Sequence, residues 1–333
     1  MTKLIYADDS KPGITRRGAG RGFAYYYPDG QLIGDRAEKR RLNAIALPPA
    51  YVDAWFCIKP NGHLLATGYD ARGRKQYRYH PDFRRMQESE KFDRAFEFGK
   101  LLPVLRARVE TDLAERRMTQ RQSVAAIIRL LDLGALRIGS EGYTRENGSF
   151  GATTLRARHA ELEGDTLRLR YKGKGGKQRE VELSDHALAR VVRRMQDLPG
   201  QHLFQYEDQE GETRAIGSSD VNDYLHEVMG EEFSAKNFRT WHASAMALDC
   251  LVQAEQRMTI GDLLDCVATK LGNTPAVTRK SYIHPAVIDL VERQDAWREQ
   301  LALPRVTKHQ SRIERALLKF LEDAPTAEQI LAA

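Results

Sequence analysis

Tyr282 closes the run Leu271-Gly272-Asn273-Thr274-Pro275-Ala276-Val277-Thr278-Arg279-Lys280-Ser281-Tyr282, and upstream of it stand Arg137, Lys174 and Arg239, each in a distinctive local setting. A phenol, two guanidiniums, an ammonium and a neutral amide donor form a set suited to phosphoryl chemistry. Breaking a phosphodiester needs a nucleophile, charge stabilisation on the non-bridging oxygens and a proton for the departing oxygen. A phenol with a pKa of about 10 is a weak nucleophile at neutral pH, but adjacent guanidiniums favour the phenolate. Arg137 and Arg239 suit both tasks, because each is permanently charged and offers a planar fork matched to phosphate. A lysine in a Gly-rich turn can give up a proton, which an arginine cannot. Lys174 is the preferred acid, with Lys172 and Lys177 as local competitors.

Neither a metal nor a nucleotide cofactor is implied. No HExxH or DxD-type cluster is present, and the stretch from Gly68 to Gly73 is followed by Arg74-Lys75 where a phosphate-binding loop requires Lys-Ser/Thr. The expected cofactor set is therefore none, with no metal ligands.

The elements that must position these residues fall into two regions, expected as domains 1–88 and 89–333. The first reads β-rich. Phe23 to Tyr27 and Gln31 to Ile33 flank the turn Pro28-Asp29-Gly30, and Tyr51 to Ile58 and His63 to Thr67 flank Lys59-Pro60-Asn61-Gly62. The segment Gly73 to His80 alternates, so a strand there places Lys75, Tyr77 and Tyr79 on one face and Arg74, Gln76, Arg78 and His80 on the other. The three successive tyrosines Tyr25, Tyr26 and Tyr27 are read as strand and core.

From about Lys91 the pattern turns helical, with Pro103 as a break or kink. Val124, Ile127, Ile128 and Leu131 make one helical face that ends near Gly134, and Arg137 follows. Leu167 to Tyr171 and Glu180 to Leu183 flank Gly173-Lys174-Gly175-Gly176 as a hairpin. Ser184 is placed to cap the next helix, whose stripe is Leu188, Val191, Val192 and Met195. Thr274-Pro275 reads as a helix start, putting Tyr282 two turns in. The stretch from Ala286 to about Leu321 reads as two helices separated by Pro304. His242 and His284, beside two of these blocks, are read as structural.

At 333 residues, with 41% hydrophobic content, the chain can bury a substantial core. It has no long apolar run and no basic-then-apolar leader at Met1, so a cytoplasmic, nucleoid-associated protein without a membrane partner is expected. Cys57, Cys250 and Cys266 are odd in number and lack C-x-x-C spacing; they are read as small buried residues without a disulfide. Residues 1–90 hold 16 Lys+Arg against 10 Asp+Glu, while the remainder is balanced at 36 against 36. The whole excess of +6 lies in the amino-terminal region, as suits a module that meets a polyanion.

Taken in order, these blocks resemble the type IB DNA topoisomerases of the compact bacterial and poxvirus-like kind. The matching stretches are Gly73 to Tyr79, Leu136-Arg137-Ile138-Gly139, Phe150 to Leu155, Tyr171-Lys172-Gly173-Lys174, Lys236-Asn237-Phe238-Arg239-Thr240, and Leu271 through Tyr282. The resemblance implies an α+β protein: a small β-rich amino-terminal domain and a larger, mainly helical catalytic domain of the tyrosine recombinase/type IB topoisomerase fold, forming a C-shaped clamp. It implies Tyr282 as nucleophile in a 3′-phosphotyrosyl bond, Arg137 and Arg239 on the scissile phosphate, and Lys174 as general acid. Asn273 occupies the place of a histidine in poxvirus and eukaryotic members; its N–H can donate to a phosphate oxygen but cannot become cationic. Double-stranded DNA is the implied partner, met by Lys75, Tyr77, Arg78, Tyr79, Arg74 and Lys236. A monomer with no obligate protein partner is expected.

The rival is a tyrosine site-specific recombinase. Recombinases typically carry His three residues before the second arginine; this chain has Lys236 there, and its amino-terminal region reads β-rich where theirs is helical.

Overall fold

The computed structural model describes residues 3–332. They form two compact units that divide between Glu90 and Lys91.

The first unit is an antiparallel sheet built by β1 (Ile14–Ala19), β2 (Gly22–Tyr26), β3 (Val52–Phe56), β4 (Leu64–Tyr69) and β5 (Lys75–Tyr79), with helix α1 (Arg36–Ala44) between β2 and β3. The strand order is β2-β1-β3-β4-β5. Both expected turns form: Tyr26 bridges Leu32 beyond Pro28-Asp29-Gly30, and Phe56 pairs with Ala66 across the second hairpin. The buried cluster includes Ile14, Tyr25, Ile33, Leu42, Phe56 and Ala66. Tyr25 is core, with its hydroxyl donating to Asn43 at 2.8 Å.

The helix α2 (Pro81–Leu113) leads into the second unit, which continues with α3 (Gln120–Gly134), α4 (Glu141–Asn147), the strands β6 (Ala160–Glu163), β7 (Thr166–Lys172) and β8 (Gln178–Ser184), and α5 (His186–Gln196). After a two-stranded ribbon, β9 (Gln205–Glu207) and β10 (Thr213–Ala215), come α6 (Ser218–Met229), α7 (Lys236–Gln253), α8 (Ile260–Leu271) and α9 (Pro275–Ser281). The last helices are α10 (Pro285–Asp289), α11 (Gln294–Gln300), α12 (Arg312–Asp323) and α13 (Ala327–Ala332). Val124, Ile127, Ile128 and Leu131 of α3 and Leu188, Val191, Val192 and Met195 of α5 are buried in a shared core. The same core holds Phe238, Trp241, Leu248 and Leu251 of α7, which anchors Arg239.

A buried ionic network ties four helices of this unit. Arg106 on α2 donates to both Asp132 oxygens at 2.7 and 2.8 Å and to both Glu314 oxygens at 2.7 and 3.0 Å. Trp241 Nε1 of α7 donates to Glu314 at 3.2 Å, and His242 Nε2 lies 3.0 Å from Asp132.

On β7, Leu167, Leu169 and Tyr171 point into the core, while the opposite face of the β6-β7-β8 sheet carries a charge ladder. Arg168 pairs with Glu163 and Glu182, and Arg170 with Glu161 and Glu180.

Several expectations need correction. The helix expected from Lys91 starts at Pro81 and runs through Pro103. Pro103 has no N–H for the Gly99 carbonyl one turn back; Gln310 Nε2 supplies the missing donor at 3.0 Å, and the helix continues. Ser184 ends β8 opposite Thr166, so the cap of α5 passes to Asp185, whose carboxylate accepts from the Leu188 N–H at 2.8 Å. From Pro285 to Asp323 three helices stand where two were expected, because the chain breaks at Leu290–Arg293 as well as near Pro304, and α13 follows beyond that stretch. Cys250 and Cys266 form a disulfide: α7 and α8 pack together and bring into contact two thiols separated by 16 residues, which sequence spacing did not reveal. Cys57 is free and buried.

Candidate active site

Arg137 is aimed by a sharp turn at the end of α3. Ala135 adopts the left-handed conformation at φ 46° and its N–H closes on the Leu131 carbonyl. The chain then runs beside Phe150 to Thr154: the Ala152 N–H donates to Arg137 O at 2.8 Å and the Thr153 N–H to Ile138 O at 2.7 Å. Close approach of the two segments requires glycine, since a Cβ on Gly151 would lie 2.6 Å from Gly139 Cα.

Arg239 sits in the first turn of α7, only 3% exposed. Its Nη1 donates to the Ala135 carbonyl and its Nη2 to the Leu271 carbonyl at 3.2 Å. These are C-terminal carbonyls of α3 and α8, the negative ends of both helix dipoles, so the cation is held where backbone charge favours it. Burial, and then the Arg137 charge, push the guanidinium below its ordinary pKa, while Tyr282 opposes that shift. Its Nε is buried without a partner.

Asn273 follows Gly272, the left-handed cap of α8 at φ 64°. Its side-chain Oδ1 accepts from Arg137 Nη2 at 2.5 Å, leaving Nδ2 buried and without a partner. Two donors, Arg239 Nε and Asn273 Nδ2, are thus held within the Arg137–Arg239 neighbourhood with no protein acceptor. Such groups fit an incoming anion with several acceptor oxygens.

Thr274 caps α9, accepting from the Val277 N–H at 3.3 Å, and Pro275 opens the helix. Tyr282 lies two turns on, as the residue that terminates α9, with its N–H donating to Thr278 O at 3.1 Å. The Arg239 Cζ is 4.8 Å from its ring centroid. Burial raises the phenol's pKa, but the charges of Arg239 and Arg137 and their hydrogen bonds outweigh it, and Tyr282 lies below the ordinary tyrosine value.

Lys174 stands on a short turn, Lys174–Gly176, at the tip of the β7-β8 hairpin. It lines a cavity of about 510 Å³ together with Arg137, Arg239, Tyr282 and Lys236. Lys172 and Lys177 do not line it. Asn273 stands outside the lining and joins the group through Arg137.

This arrangement coincides with sequence-family evidence. Residues 80–303 match the model of the eukaryotic DNA topoisomerase I catalytic core, and residues 22–70 that of the bacterial DNA topoisomerase IB N-terminal domain. The chain belongs to the type IB DNA topoisomerases. It is 29% identical over 294 residues to DNA topoisomerase 1B of Acanthamoeba polyphaga mimivirus, covering 84% of this chain and 88% of that protein. DNA topoisomerase 1 of Mycosarcoma maydis is 27% identical over 233 residues, 63% of this chain but 23% of the fungal protein. Among solved structures, the XerH site-specific recombinase bound to palindromic difH aligns with a TM-score of 0.39 and 18% identity over 58% of this chain and 51% of that one.

The type IB enzyme keeps other expected DNA-binding residues in its amino-terminal unit. Tyr77 and Tyr79 share a face of β5, stacked at 5.9 Å, with Lys75 Nζ 5.8 Å from the Tyr77 ring centroid. Tyr77 is 47% exposed. Lys75 pairs with Asp9 at 2.6 Å, Arg74 with Asp70 at 2.7 Å, and Arg78 donates to Ala46 O at 3.1 Å. Lys236, the first residue of α7, is exposed at the cavity.

Sequence reasoning missed Ser140 and Tyr143, which also line the cavity, and the cross-strand pair of Tyr171 with Arg179 in the Lys174 hairpin. The alternation of β7 carried the signal for Tyr171, a phenol on the apolar face next to Lys172-Gly173-Lys174. Both flanking histidines have structural partners. His242 faces Asp132, and His284 starts α10, its Nδ1 accepting from the Ala286 N–H at 3.2 Å. Among the described residues no group of three or more His, Cys, Asp or Glu side chains is placed to hold a metal ion.

Proposed function

We propose that this topoisomerase uses Tyr282 to open one strand of supercoiled duplex DNA and reseal it, with the protein's own cations in place of a metal and with no ATP. The supporting observation is that Tyr282, Arg239, Arg137 and Lys174 meet at one cavity, where the two guanidiniums make the phenol more acidic.

The Tyr282 oxygen, its proton lost to solvent, attacks the scissile phosphorus. Arg137, Arg239 and the Asn273 amide N–H hold the non-bridging oxygens as charge builds on them. The bond from phosphorus to the 5′ oxygen breaks, Lys174 protonates that oxygen, and a 3′-phosphotyrosyl bond remains. Torque in the DNA turns the freed 5′ end. Religation reverses each step, with neutral Lys174 taking back the proton as the 5′ hydroxyl attacks and Tyr282 leaves.

In this reading residues 1–88 are a DNA-binding domain, residues 89–333 carry the chemistry, and Arg74, Lys75, Tyr77, Arg78, Tyr79 and Lys236 contact the duplex. Positioning on phosphate is the commoner role for such groups. The enzyme acts as a monomer in the cytoplasm, on the nucleoid.

The test is incubation with supercoiled plasmid in EDTA without ATP, with a parallel detergent quench. Stepwise relaxation and a covalent adduct, both lost in Tyr282→Phe, are expected. An adduct without relaxation would favour a site-specific recombinase; an adduct that survives Tyr282→Phe would remove Tyr282 as nucleophile.

A further inference from the structure

The hairpin that carries Lys174 and the helix end that carries Asn273 are joined by one side chain. Arg179 of β8 pairs across the hairpin with Tyr171, and its side chain passes between two glycines. A Cβ on Gly173 would lie 2.9 Å from Arg179 Cγ, and a Cβ on Gly272 would lie 1.6 Å from Arg179 Nη1. Gly173 immediately precedes Lys174, and Gly272 immediately precedes Asn273. Arg179 therefore fills the gap between the two glycines that immediately precede Lys174 and Asn273.

Its polar contacts fit the same place. Arg179 Nη2 donates to the Lys270 carbonyl at 3.3 Å, while the next carbonyl, Leu271, accepts from Arg239 at 3.2 Å. Successive free carbonyls at the end of α8 are thus taken by one arginine from the hairpin and one from α7. Arg179 also stands opposite the buried Tyr171 across the hairpin, its charge opposing the rise that burial gives the phenol's pKa. No carboxylate pairs with Arg179 among the described residues, unlike Arg168 and Arg170 on the outer face. The tip itself has little to hold it: Lys174, Gly175 and Gly176 are exposed, both glycines have φ 77°, and a Cβ on Gly175 would touch nothing. The tip's position must be set from its base.

We infer that Arg179 is a positioning residue that fixes the Lys174 hairpin against the Gly272-Asn273 turn, so that the acid and the phosphate-binding donors close on one phosphate. This rests on Lys174 being the general acid. The test is single-turnover cleavage of a duplex oligonucleotide carrying either an ordinary 5′ oxygen or a bridging 5′ sulfur, which departs without a proton.

Arg179→Ala is expected to slow cleavage of the oxygen substrate by roughly 10- to 100-fold, a part of the usual general-acid contribution, and to recover most of that loss on the sulfur substrate. Lys174→Ala, run in parallel, must show the same rescue, and adding Arg179→Ala to it should slow the oxygen substrate little further. Arg179→Lys, a point charge without the planar fork, should fall between wild type and Arg179→Ala; it carries the same test if the alanine variant folds poorly. Rescue of Lys174→Ala with equal slowing of the Arg179 variants on both substrates would overturn the inference and leave Arg179 as scaffold. An unchanged rate in the Arg179 variants would overturn it too. Failure to rescue Lys174→Ala would remove Lys174 as the acid, and this inference with it.

Discussion

Arg137 Nη2 donates to Asn273 Oδ1 at 2.5 Å, and this bond fixes which end of the amide is left without a partner. A guanidinium has no acceptor, so the amide must offer its oxygen to Arg137 and present Nδ2 elsewhere. Asn273→Ala is expected to slow cleavage by about 10²-fold, the scale of a lost oxyanion donor. Asn273→Asp should be slower still, because it keeps an acceptor for Arg137 but sets a second anion near the phosphate. Single-turnover cleavage rates check both.

The acidity of Tyr282 gives a second prediction. The cleavage rate should rise with pH as the phenolate forms and level off below the ordinary tyrosine value, since Arg239 and Arg137 lower the phenol's pKa. Arg239→Ala removes the larger of these two influences, so the inflection should move to higher pH while the rate at pH 7 falls by about 10²-fold or more. A pH profile whose inflection stays fixed would detach Arg239 from the nucleophile.

His284 offers a test in stability. It is 4% exposed and burial lowers its pKa to about 4. The unfolded chain takes up this proton near pH 6.5 and the folded chain resists until about 4, so the unfolded state binds more protons between these values. Folding stability must then fall as pH drops through that window, by about 2 kcal/mol at pH 5 from this residue. His284→Asn keeps an acceptor for the Ala286 N–H and should flatten the loss, as urea titrations at pH 7 and 5 would show.

The Arg106 network predicts a structural effect. Arg106→Leu leaves Asp132 and Glu314 buried without their shared cation, a change expected to cost about 3–5 kcal/mol. The urea midpoint should fall accordingly. The reverse outcome, little change, would mean that α12 can move and let water reach Glu314.

How much of this was legible in the sequence depended on the range of the signal. Arg137, Lys174, Asn273 and Tyr282 each follow a local device that short sequence motifs reveal: a helix end at Gly134, a glycine-rich turn, a glycine cap and a Thr-Pro helix start. Their surroundings come from tertiary packing, which spacing cannot show. Pro103 looked like a helix break because its substitute donor, Gln310, lies far away in sequence. Cys250 and Cys266 looked unpaired because their meeting depends on how α7 lies on α8. Arg179 carries no local signal of its own, since the two glycines that receive it belong to different segments.

The charge ladder on the outer face of the β6-β7-β8 sheet bears on how the protein first meets its substrate. Arg168, Arg170 and Lys172 face Glu161, Glu163, Glu180 and Glu182 there, a balance of one negative charge. That face offers phosphates no unpaired arginine, while Arg137, Lys174, Lys236 and Arg239 line the cavity. The expected consequence is a bias in how the duplex approaches, set by the carboxylates of this sheet, and added salt should blunt that bias along with affinity.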